Sequence, residues 1–75
     1  MSGKIPRLNA KEVMAVLKKL GFSLSRQSGS HKIYKNREAR RVTLPFHGSK
    51  SLHPKVLRSI LKDAEITTDE LRELL

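Results

Sequence analysis

Three histidines, His31, His47 and His53, are the side chains of this sequence whose protons can change hands near neutral pH. His31 has the most suggestive setting. It follows Gly29 and Ser30 and is flanked by Lys32 and Lys35. A glycine offers no side chain to obstruct a phosphate. Nearby ammonium groups would stabilise a pentacovalent phosphorane, the charge-rich species of phosphodiester transesterification. Against this stands the plainer reading: a lone histidine in a small basic domain is more often a surface or structural residue. His47 lies in the Pro45-Phe46-His47-Gly48 turn and reads equally as a turn or a site residue. His53 precedes Pro54 and reads as a residue near a helix N-cap. His31 and His47 lack a third ligand at suitable spacing, so neither a metal nor another cofactor is expected. Ser30 beside His31 makes no triad, because adjacent strand residues point to opposite faces.

The elements that must position His31 can be read along the chain. Asn9 and Glu12 have capping-box spacing, with Leu8 and Val13 placed for a hydrophobic staple. Val13, Val16, Leu17 and Leu20 then mark one helical face, and Gly21 stops the helix. Alternation from Phe22 to Gln27, from His31 to Lys35 and from Arg41 to Phe46 predicts three strands. Ser28-Gly29-Ser30 turns between the first two, and Asn36 to Ala39 connect the next two. His31 shares strand parity with Ile33, and Ile33 is expected to face the helices. Pro45 cannot donate to a ladder, which predicts an edge strand or a strand end. Pro54 suits a first helical position, and Leu57, Ile60, Leu61 and Ala64 repeat the helical stripe. Thr67 and Glu70 form a second capping-box pair, and Leu71, Leu74 and Leu75 give a short last helix its apolar side. The expected fold is α+β, in the order α-β-β-β-α-α, with a three-stranded antiparallel sheet and helices on one face.

Length and charge limit what such a domain can be. Seventy-five residues make one domain, spanning 1–75. The chain has no cysteine, which excludes disulfides, thiolate zinc sites and cysteine nucleophiles. No apolar run has the length of a membrane span or a signal peptide, so a soluble cytoplasmic domain is expected, with no membrane partner. Residues 1–62 hold fifteen Lys and Arg against two acids, whereas residues 63–75 hold one Arg against five acids. The net charge of +9 calls for a polyanion, with nucleic acid first and an acidic protein second. Lys32, Lys35, Arg41 and Lys50 belong to this basic set, as do Lys55, Arg58 and Lys62 on one face of the second long helix. Only Phe22, Tyr34 and Phe46 are aromatic. Phosphate and 2′-hydroxyl contacts, rather than base stacking, must then carry affinity for RNA.

The ordered set Leu20-Gly21-Phe22, Gly29-Ser30-His31 with Tyr34 following, Val42-Thr43-Leu44-Pro45-Phe46-His47-Gly48, and Leu57-Arg58-Ser59-Ile60-Leu61-Lys62 resembles the HicA (YcfA-like) toxins of HicAB toxin–antitoxin modules. The likeness runs from about Lys4 to Leu74. It implies a fold similar to a double-stranded RNA-binding domain. It also implies a ribosome-independent endoribonuclease, an mRNA interferase, that is held silent by a HicB-type antitoxin. The family's active histidine falls on His31, preceded by Gly29 and Ser30; no role carries over to His47. Gly29, Ser30, Lys32, Lys35, Arg41 and Lys50 are the expected RNA contacts. Where the family usually has glycine after the second helix, this chain has Glu65. Two other readings stand beside the nuclease. One is a non-catalytic RNA-binding module of the same fold. The other is a helix-turn-helix over 54–75 that reads DNA, which the acidic last helix disfavours.

Overall fold

A computed structural model describes residues 5–47 and 50–75. Lys4 and Gly48 lie outside the described residues. Helix α1 (Ala10–Lys19) begins as the sequence predicts. Asn9 Oδ1 accepts from Glu12 N at 2.9 Å, and Glu12 Oε1 accepts from Asn9 N at 2.9 Å. Each side chain satisfies an amide that the helix itself cannot. Removing the first of these bonds in Asn9→Ala is expected to cost about 1 kcal/mol and lower Tm by about 4–8 °C in a domain of this size. Thermal unfolding followed by circular dichroism measures it. Gly21, at φ 91°, takes the left-handed turn that ends the helix.

Strands β1 (Ser23–Ser28), β2 (His31–Lys35) and β3 (Arg41–Pro45) form an antiparallel sheet in that order. Gly29 turns β1 into β2 at φ 60°. β3 is an edge strand and Pro45 its last residue, so the missing amide costs no ladder bond. Helices α2 (Pro54–Ala64) and α3 (Thr68–Leu74) follow. Pro54 opens α2, and Thr67 with Glu70 closes the second capping box at the start of α3. Leu52 N donates to Leu8 O at 2.7 Å and Asn9 bridges Ser51, tying together the segments that lead into α1 and α2.

One core holds these layers together. Val13, Val16 and Leu17 of α1 and Leu57, Ile60 and Leu61 of α2 pack with Tyr34, Val42 and Leu44 of the sheet. Leu71 of α3 joins them and Leu74 packs partly against them, whereas Leu75 is 55% exposed. The apolar side expected of the last helix is therefore narrower than its sequence suggests, because Leu75 is the cap residue beyond the last turn.

The face expected of Ile33 needs correcting. Ile33 pairs with Thr43, whereas Tyr34 pairs with Val42. Paired residues share a face. Val42 is fully buried and Thr43 is exposed, so Tyr34 points to the helices and Ile33 to the open side. Ile33 is buried but stands outside the core cluster. Both residues are apolar and adjacent, so alternation within β2 could not choose between them.

A register shift between Leu24 and Arg26 gives the second departure from simple alternation. Leu24 pairs with Tyr34, but Arg26 pairs with Ile33. The bulge thus puts Leu24 on the helix side and Arg26 on the open side. At the other end of the molecule, Glu65 caps α2 in the left-handed conformation, φ 60°. A side chain stands where the resemblance leads one to expect glycine, yet the backbone takes glycine's geometry. The Glu65 carboxylate pairs with Arg40, whose guanidinium also donates to Asp63 O at 3.2 Å.

Candidate functional site

His31 opens β2 immediately after the Gly29 turn, and its side chain is exposed. Its cross-strand partners are Ser28 on β1 and Pro45 on β3. Phe46 N donates to Ser30 O at 2.7 Å and extends the β2–β3 ladder past the histidine. The residue therefore sits on paired backbone on both sides, which fixes its position without engaging its ring. Among the described residues the imidazole makes no hydrogen bond within the chain.

By strand parity His31 lies on the open side with Ile33, Thr43 and Pro45. Helix α2 packs against β3 and closes the other wall. The result is a shallow groove of about 350 Å³ lined by His31, Thr43, Pro45, Lys55, Val56, Ser59 and Ile60. One wall offers a titratable ring and the Thr43 hydroxyl. The other offers the Lys55 ammonium and the Ser59 hydroxyl. The floor of Pro45, Val56 and Ile60 is apolar. A sugar–phosphate backbone is the kind of ligand that uses one proton acceptor, one cation and neutral hydrogen-bonding groups together.

The groove continues past Pro45 and Val56 into a second hollow of about 300 Å³, lined also by His47, Lys50, Ser51, Leu52 and His53. All three histidines thus border one continuous surface. They are not equivalent. His53 is the N-cap of α2, as its place before Pro54 suggests, and its Nδ1 accepts from Lys55 N at 3.0 Å. In that bond Nδ1 is the acceptor, which leaves Nε2 as the ring's N–H. His53 thereby holds the first turn that bears Lys55. His47 is exposed, and its carbonyl accepts from Lys50 N at 3.4 Å.

The residues expected to touch RNA divide among several places. Gly29 and Ser30 adjoin His31 in the turn. Lys50 borders the second hollow. Lys35 and Arg41 pair with each other on the histidine's side. They stand at the far end of β2, about 13 Å away at 3.3 Å per residue. Lys32 is carried on the other face, paired with Leu44, with its Nζ 4.2 Å from the centre of the Phe46 ring. Three groups singled out for no site role above are brought to the histidine's side. Thr43 and Ser59 line the groove itself. Arg26 reaches that side because of the bulge. Lys55 was legible as part of a basic helical stripe, though not as the histidine's neighbour.

Burial pushes the Tyr34 phenol up from its usual range, so it remains a neutral hydroxyl in the core. Among the described residues no three His, Asp or Glu side chains come together as a metal site. No helix among them is long and apolar enough to cross a membrane.

Residues 10–66 match the family model described as the HicA toxin of bacterial toxin–antitoxin systems. No curated protein matches the chain significantly. The matched stretch includes the whole sheet, His31 and all of the groove.

Proposed function

The chain belongs to the HicA toxin family of toxin–antitoxin modules, and from that premise we propose that it is an endoribonuclease, an mRNA interferase, that cleaves RNA by transesterification at His31. The observation that carries this reading is the exposed His31 imidazole in one groove with Lys55, Thr43 and Ser59. A ring nitrogen of His31 takes the proton of the ribose 2′-hydroxyl. The 2′-oxygen attacks phosphorus, and the bond from phosphorus to the 5′-oxygen breaks. The leaving oxygen receives a proton from water or from His47. The products are a 2′,3′-cyclic phosphate and a 5′-hydroxyl end. Lys55 balances the charge that grows on the phosphorane, and the Thr43 and Ser59 hydroxyls orient its oxygens. Arg26, Lys35, Arg41 and Lys50 hold flanking phosphates. The expected partner is a HicB-type antitoxin that covers His31, drawn to the basic surface by opposite charge.

The test uses a long single-stranded RNA in EDTA, beside a short oligoribonucleotide and its all-2′-deoxy counterpart. Cleavage of both RNAs, with the deoxy strand intact and cyclic phosphate at the new ends, is expected. Cleavage of the deoxy strand, or cleavage that EDTA abolishes, would overturn the mechanism. Salt-sensitive RNA binding without any cleavage would favour the non-catalytic module.

A further inference from the structure

Among the described residues another hollow exceeds the histidine groove in volume. It lies on the opposite face of the sheet, where α1 leaves the β1–β2 half uncovered, and it measures about 730 Å³. Lys32 and Tyr34 line it, and these alternate along β2 with the residues on the His31 side. Its α1 wall is Lys11, Met14, Ala15 and Lys18, a stripe at i, i+3, i+4 and i+7 beside the core-facing stripe. Leu24, 49% exposed, and Phe46 complete its apolar lining. No Asp or Glu among the described residues borders it.

We propose that this groove is a docking site for an acidic amphipathic helix of a partner protein. The apolar floor and the rim of Lys11, Lys18 and Lys32 match a helix with aliphatic side chains on one face and carboxylates flanking them. A helix fits better than an added strand. The hollow lies on the face of the sheet, and the bulge after Leu24 interrupts the free edge of β1. A second copy of this chain is disfavoured, because two +9 molecules repel and the acidic α3 is already committed to its own core through Leu71. RNA is the poorer occupant. Phe22 and Tyr34 are buried, and Lys32 covers Phe46, so the hollow offers no free ring for a base to stack on. An occupant here does not touch His31, so this contact differs from one that occludes the histidine, and it stands independently of the nuclease reading.

The experiment is an amide-shift titration of the full chain with a set of synthetic helices that carry Leu on one face and Glu on both flanks. The same helices with Lys for Glu, and a uridine hexanucleotide, are titrated beside them. The Glu helices are expected to shift Met14, Leu24 and Lys32. The double variant Lys11→Glu, Lys18→Glu is expected to weaken them about tenfold or more while leaving the circular dichroism spectrum unchanged. Absence of binding by the Glu helices, equal binding by the Lys helices, indifference to the double variant, or displacement of the helix by the hexanucleotide would each overturn the proposal.

Discussion

Replacing His31 with alanine is expected to lower the rate of RNA cleavage by about 10²- to 10⁴-fold, the range that a positioned general acid or base supplies. The fold should not change, because the side chain is exposed and makes no hydrogen bond among the described residues. Unfolding and RNA binding therefore serve as internal controls. The quantity to measure is the initial rate on one RNA at matched protein concentration, with circular dichroism on both proteins. A variant that is folded, binds RNA and cleaves at the wild-type rate would remove His31 from the mechanism. The same measurement on His47→Ala bears on the second proton. His47 borders the hollow that adjoins the histidine groove, and a comparable loss there would identify it as the group serving the 5′-oxygen.

The second large effect belongs to the core. Leu57→Ala is expected to cost about 2–5 kcal/mol, since it empties a site buried between α2 and the sheet. Leu57 is 1% exposed and α2 packs directly on β3. A chain of this length holds only about 4–11 kcal/mol in total at ordinary per-residue stability. The change thus removes much of what keeps it folded. It also loosens the helix that carries Lys55 and Ser59, so activity should fall together with stability. Urea unfolding gives the magnitude, with exposed Arg58→Ala as the neighbour expected to change little, within about 0.5 kcal/mol. A loss below about 1 kcal/mol for Leu57→Ala would mean that the site collapses freely, contrary to the packing described.

What the sequence makes legible here is what is decided locally. Asn9 with Glu12, and Thr67 with Glu70, state their helix starts within four residues, and both capping boxes form. The helical stripes and the Gly29 turn are equally short-range. The faces of the strands are not. His31-Lys32-Ile33-Tyr34-Lys35 is apolar at two adjacent positions, and only pairing with Val42 and Thr43 decides which one turns inward. The bulge that moves Arg26 across the sheet leaves no mark on simple alternation. The same distinction holds at the site. The Gly29-Ser30-His31 run draws attention to the histidine. Its encounter with Lys55 and Ser59 depends on α2 packing against β3, which no spacing in the sequence encodes.

The separation of charge along the chain has a consequence for how the molecule meets its target. Lys55 stands in the first turn of α2, at the histidine groove, whereas Asp63 and Glu65 stand at the other end of the same helix and lead into the acidic α3. Charge is therefore unevenly spread along α2 and α3, with Lys55 at the groove end and the acids of α3 at the other. A polyanion that approached would act on an uneven charge with a torque as well as an attraction. An encounter that begins already aligned wastes fewer collisions than one that must search for its orientation.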